Sequence, residues 1–167
     1  MTNQIYFSKV KPNAIIPSKI EENAGYDIYP CFDEDYIIIS SHETKLIPTG
    51  IASACSSDYY FQLFERGSTG TKGIGQRCGV IDSGYRAEWF VPITNHNEKL
   101  LVIKKKHSDF KGFFGIETIF YPYEKAICQA VLLPVPKVDV NEIPYENLKE
   151  IISVRGMGNL GSTNKWW

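Results

Sequence analysis

The chain has 167 residues, of which 43% are hydrophobic and 22% charged, and a formal net charge of −1. That length suits one domain with a sizeable core. The even charge balance gives no general pull toward duplex nucleic acid or a membrane surface, and no apolar run approaches the ~18 residues of a membrane-crossing helix.

In chain order, short runs rich in Tyr, Phe, Ile and Val predict strands over residues 4–9, 36–39, 44–47 and 59–64. A short turn follows Gly67, and further strands are expected over 90–95, 100–104, 118–121 and 126–134. Between two of these, residues 104–114 begin with three lysines and carry Phe110, Phe113 and Phe114, which reads as a long hairpin tip with a solvated lysine face. Only residues 145–152 have helical spacing, through Leu148, Ile151 and Ile152. The last stretch, 154–167, is too glycine-rich to hold a fold of its own, yet it ends in Trp166 and Trp167. Many short strands at close spacing predict an all-β domain, a jelly-roll-like β-sandwich or barrel over residues 1–153 with one short helix. A flexible C-terminal arm, 154–167, follows it.

Cys31, Cys55, Cys78 and Cys128 form no C-x-x-C pair, and His42, His96 and His107 complete no zinc pattern. The N-terminus lacks the basic and apolar regions of a signal peptide. Reduced thiols and a cytoplasmic location are the expectation.

Two phosphate motifs fail on context. Gly156-Met-Gly158-Asn-Leu-Gly161 fits G-x-G-x-x-G, but too few residues follow it for the helix that a dinucleotide site needs. Gly67-Ser-Thr-Gly-Thr-Lys-Gly lacks the Gly-Lys-Ser/Thr order of a Walker loop, although its glycines and hydroxyls suit anions.

Five segments taken together carry more. They are Ala24-Gly-Tyr-Asp27, Arg66-Gly-Ser-Thr69, Gly79-Val-Ile-Asp-Ser-Gly-Tyr85, Ile127-Cys-Gln129 and Arg155-Gly-Met-Gly-Asn-Leu-Gly-Ser-Thr163. In order and spacing they resemble the motifs of the trimeric dUTPase family along nearly the whole chain. The third is the most specific. With Trp89-Phe90-Val91-Pro92, the resemblance is to the branch found in bacilli and their phages.

The resemblance implies hydrolysis of dUTP to dUMP and pyrophosphate, with Asp82 as the general base that holds the attacking water at the α-phosphate. On local sequence alone Asp82 could equally cap a turn. Tyr85 would lie against the deoxyribose and leave no room for a 2′-hydroxyl, or could be an ordinary strand tyrosine. Backbone groups around Gly79 and Trp89–Phe90 would meet the uracil edge. Arg66, Gly67 and Ser68 would clamp phosphate, the guanidinium matching its oxygens as a planar fork; the family usually has Arg-Ser-Gly there. Gln129 would also donate to phosphate, and Ala126 stands where the family commonly has Arg. Asp27 and Gln76 would support the site. Mg²⁺ is the implied cofactor, held on the substrate phosphates with no protein ligand.

Arg155, Gly161 and Ser162 would close over the γ-phosphate. Leu160 stands where the family places a uracil-stacking Phe, so Phe90, or else Trp166 or Trp167, would supply that ring. A homotrimer with shared sites is implied. Two rivals stay open: a catalytically weak, phage-type relative working through a regulatory protein partner, and a dCTP deaminase. The deaminase needs a catalytic Glu about ten residues beyond the Asp, where this chain has Pro92.

Overall fold

Strands form where β-branched and aromatic residues alternate in and out of a core, because every second side chain of a strand points to the same face. A computed structural model of the chain describes residues 4–77 and 79–158. It divides into two compact units, Met1–Pro136 and Lys137–Trp167.

The first unit is all-β. Its strands are β1 (Tyr6–Lys9), β2 (Gly25–Ile28), β3 (Tyr36–Ile39), β4 (Thr44–Pro48), β5 (Ile51–Ala54) and β6 (Tyr59–Phe64), followed by a one-turn helix α1 (Gly67–Gly70). Then come β7 (Ile74–Gln76), β8 (Val80–Ile81), β9 (Phe90–Asn95), β10 (Leu100–Lys104), β11 (Thr118–Pro122) and β12 (Cys128–Pro134). They hydrogen-bond as β1-β5, β11-β10-β3, β2-β12-β6-β8 and β4-β9-β7. The second unit contains α2 (Tyr145–Glu150), which buries none of its residues.

The core follows from the strand pattern. Phe61 and Leu63 point inward from β6, Val91 and Ile93 from β9, and Leu101, Val102 and Ile103 of β10 are all buried. Trp89 lies at the centre, fully buried, with Phe7 and Phe61 edge-on at 5.8 and 5.3 Å. Asn95 is also fully buried, and its amide donates to the carbonyls of Ile39, Ser40 and Lys99, tying β3 and β9 to the start of β10.

Two expectations need correction. One short helix was expected, and the described residues hold two, because the turn after Gly67 closes into α1. Thr69 drives this closure: its buried hydroxyl donates to the Arg66 carbonyl and accepts from the Arg66 N–H. The second concerns residues 104–114, which form no hairpin tip. β10 and β11 pair in parallel, Leu100 opposite Thr118, so the intervening chain is a crossover. Phe110 stacks on Tyr36 at 4.2 Å, Lys104 Nζ donates to Phe110 O, and Lys105 Nζ donates to Asp33 O, so the segment is laid back over the entry to β3. Lys104 and Lys105 are half-buried rather than solvated, their ammonium groups lying over Phe120 and over Phe32 and Tyr123.

Candidate active site

The chemistry-bearing residues of the first unit gather in two places, both positioned by β6. At one, β8 pairs with β6, Phe61 opposite Ile81 and Gln62 opposite Val80. Gly79 enters this ladder at φ +144°, and a Cβ there would lie 2.9 Å from the Leu63 carbonyl and 2.8 Å from Gln62 Nε2. Only glycine fits such a conformation and approach. Past β8 the chain turns, Tyr85 N–H donating to Asp82 O at 3.0 Å. The Tyr85 hydroxyl donates to Glu88 O at 3.1 Å, and the Glu88 carboxylate accepts from the Gly50 N–H at 2.8 Å. Trp89 then plunges into the core and Phe90 opens β9.

The result is a cleft of about 250 Å³ lined by Gly79, Ile81, Asp82, Tyr85, Phe90 and Pro92, among others. Asp82 is exposed on its wall, and Tyr85 and Phe90 present partly exposed rings. Ala87 keeps φ negative, since His42 is the sole non-glycine at positive φ among the described residues. The backbone of Trp89 is committed to the sheet: its N–H donates to Ile51 O and its carbonyl accepts from Thr49. It offers nothing to a ligand.

At the second place, strand register does the work. Asp27 of β2 faces Gln129 of β12, which faces Phe64 of β6, and Arg66 lies two residues beyond. Arg66 Nε meets Asp27 Oδ1 at 3.1 Å, and Nη2 meets Oδ2 at 3.5 Å. Nη1 donates to Ala126 O at 3.2 Å and reaches Ser68 Oγ at 3.5 Å. Gln129 Nε2 donates to Glu65 O at 2.9 Å. Its amide passes so close to Gly25 that a Cβ there would lie 2.7 Å from Gln129 Oε1. Gln76 joins from β7, its N–H donating to the Glu65 carboxylate at 3.0 Å. Gly67 has open space where a side chain would be. Cys128 is fully buried beside this group; burial pushes its thiol far above the usual range, so it stays neutral.

The two places are well apart. Asp82 follows the Phe61–Ile81 pair, which sets it beside Tyr60, and Arg66 lies six residues farther along the same direction. At about 3.3 Å per residue that is roughly 20 Å. The structure thus brings together Asp82, Tyr85, Phe90 and Gly79, and separately Arg66, Gly67, Ser68, Asp27, Gln129 and Gln76.

In the second unit, Arg155 Nε donates to Gly158 O, and Gly156 turns the chain at φ +51°. Leu160, Gly161, Ser162, Trp166 and Trp167 lie outside the described residues. Among the described residues, no three His, Cys, Asp or Glu side chains gather as metal ligands, and no helix is long and apolar enough to cross a membrane.

Glu65 and Glu88 were not anticipated. Glu65 adjoins a singled-out motif and Glu88 falls between Tyr85 and Phe90, so adjacency was a usable signal for both.

The family model described as dUTPase matches residues 11–108. The deoxyuridine 5′-triphosphate nucleotidohydrolase of Nautilia profundicola is 32% identical over 97% of this chain and 99% of its own length. The enzyme of the same description from Leptospira interrogans is 31% identical over 60% of this chain and 72% of its own. Among solved structures, a Staphylococcus bacteriophage 80alpha dUTPase mutant with dUpNHpp superimposes with a TM-score of 0.76, covering 98% of this chain and 99% of that one at 21% identity. A phage phi11 dUTPase mutant, described as coordinating a structural Mg(II) ion, gives 0.66 over 84% and 97% at 18% identity. These two likenesses speak to fold.

Proposed function

The chain belongs to the dUTPase family and hydrolyses dUTP to dUMP and pyrophosphate, and from that premise we propose that Asp82 is its general base. The observation that carries the proposal is the cleft in which Asp82, Tyr85 and Phe90 share one wall system over Gly79. Uracil and deoxyribose occupy this cleft, Tyr85 against the sugar where a 2′-hydroxyl would collide and Phe90 over the base. The Glu88 carbonyl holds the Tyr85 hydroxyl, so the ring cannot swing aside to admit a ribonucleotide. Asp82 takes a proton from a water aimed at the α-phosphorus. The water oxygen bonds to phosphorus as the bond to the bridging oxygen breaks, and pyrophosphate leaves.

Phosphate is held at the second cluster, by the Arg66 fork with Ser68, the Gly67 backbone and Gln129, over Asp27 and Gln76. A phosphate chain at Asp82 falls short of Arg66, which lies beyond the end of β6 at Phe64 and roughly 20 Å farther along its direction. One site therefore draws its Asp82 turn and its phosphate cluster from different protomers, which calls for an oligomer; that this is a homotrimer is what the resemblance to the trimeric dUTPases implies. The arm, residues 154–167, supplies Arg155, Gly161 and Ser162 to the γ-phosphate. Mg²⁺, which the resemblance implies, would be held by the substrate's phosphate oxygens and water and would offset their charge.

Pro92 lines the cleft at the position where a deaminase would need its Glu, and proline carries no titratable group. A second reading, a regulatory protein partner, is favoured by one observation: Phe113, Phe114 and Ile116 in the β10–β11 crossover are all well exposed. The test of the main reading is pyrophosphate release from dUTP, dCTP, dTTP and UTP by the parent and by Asp82→Asn. Turnover of dUTP alone is expected, falling ~10²–10⁴-fold in the variant. Equal rates for the two proteins would refute the assignment.

A further inference from the structure

Arg66 does not wait for its ligand as a free side chain. One edge of the guanidinium rests on Asp27, at 3.1 and 3.5 Å, and Nη1 rests on the carbonyl of Ala126 at 3.2 Å. That same carbonyl accepts a second hydrogen bond, from the Tyr121 hydroxyl at 2.6 Å. Tyr121 and Ala126 are each 2% exposed, so neither water nor another side chain competes for the oxygen. A carbonyl has two lone pairs, and here both are used. With the phenol on one, the other is aimed at Arg66.

We infer that Tyr121 is a positioning residue for the phosphate-binding Arg66, acting through the Ala126 carbonyl. The arrangement also reaches the far end of the loop that Arg66 begins. Lys72 Nζ lies over the Tyr121 ring at 5.9 Å, and Asn97 Nδ2 holds the Lys72 and Gly73 carbonyls at 2.9 and 3.3 Å. Arg66 and Lys72, with α1 between them, thus both bear on one buried tyrosine. Burial pushes the Tyr121 phenol above its usual range against the opposing pull of Arg66, which keeps the hydroxyl a donor across the working pH range. A guanidinium fixed on both sides loses little side-chain freedom when phosphate arrives, and that saving appears as affinity.

The inference rests on Arg66 binding phosphate, and the experiment separates the two claims. KM for dUTP and inhibition by inorganic pyrophosphate are measured for the parent, Tyr121→Phe, Arg66→Ala and the double variant. Tyr121→Phe removes one oxygen and leaves the ring and its packing. Losing one such bond is expected to weaken both constants about threefold to tenfold, and in the Arg66→Ala background it should do nothing further. An equal effect of Tyr121→Phe in both backgrounds would overturn the positioning role, since a general loss of structure does not depend on Arg66. If Arg66→Ala leaves both constants unchanged, the phosphate role of Arg66 is wrong and the inference goes with it. Asp27→Asn, which loosens the opposite edge of the guanidinium without touching β11, gives a second arm with the same expected non-additivity. Additive losses in that arm too would count against the bracket as a whole.

Discussion

Replacing Phe90 by alanine probes the nucleoside end of the site with little disturbance of the core. Phe90 is 44% exposed at the mouth of the cleft, whereas its neighbours Trp89 and Val91 are fully buried. A fully buried phenylalanine covers roughly 200 Å², so about 90 Å² remains for a bound base to cover. At about 25 cal/mol per Å² this is worth about 2 kcal/mol, or close to a 30-fold change in Kd. Base–aromatic stacking gives an independent range of ~1–3 kcal/mol that brackets the same value. The assay is calorimetric titration of dUpNHpp into the parent, Phe90→Ala and Phe90→Tyr. The tyrosine variant keeps the ring and should bind within about twofold of the parent, while the alanine variant should weaken by a factor on the order of 30. Unchanged affinity in Phe90→Ala would mean that the base is not stacked here, and that the arm must supply any ring that covers it.

The segment from Gly79 through the Asp82 turn offers a matched pair of glycine tests. Gly79→Ala forces φ near +144° on an L-residue and sets its Cβ 2.9 Å from the Leu63 carbonyl, so urea unfolding should show a loss of about 1–3 kcal/mol; Gly84→Ala, with nothing within 4 Å and no positive φ, should be neutral or stabilising by up to ~1 kcal/mol. Equal losses at the two positions would refute this local account. A pH series on Glu43→Gln examines a carboxylate held below its ordinary range chiefly by the Ser40 N–H at 2.7 Å, with a smaller contribution from Lys45. Because the folded pKa is depressed, the stabilisation is present above the unfolded carboxylate pKa and lost as pH falls through the folded one. The parent should therefore melt above the variant at pH 7, and that gap should close on acidification toward pH 3. A gap independent of pH would contradict the assignment.

Local sequence revealed much of this protein because local rules govern much of it. The strands with alternating apolar residues, such as β6 and β9, bury the residues that their pattern marks, and the Gly79–Tyr85 segment forms the turn that its glycines and Asp82 prepare. β2, β5 and β7 escaped sequence reading for a physical reason. They are only three or four residues long and include Gly, Asp, Ala, Ser or Gln, residues with little strand preference of their own, and they are strands because β12, β1 and β9 offer them hydrogen bonds. The 104–114 segment went wrong similarly, since nothing in its lysines and phenylalanines says that β10 and β11 run parallel; the contacts with Tyr36 and Asp33 decide that.

The candidate site divides along the same line. Asp82 and Tyr85 are neighbours along the chain, so their partnership is written in sequence, and Phe90 follows closely. Arg66, Asp27, Gln129 and Tyr121 lie far apart in sequence and meet only through the register of β2, β12 and β6 and the loop from β11 to β12. Hydrogen-bond register is a property of paired strands, and no single strand carries it. For that reason the sequence by itself determined which residues were candidates for a nucleotide site, while tertiary structure alone decided which of them share the cleft and which gather in the separate cluster around Arg66.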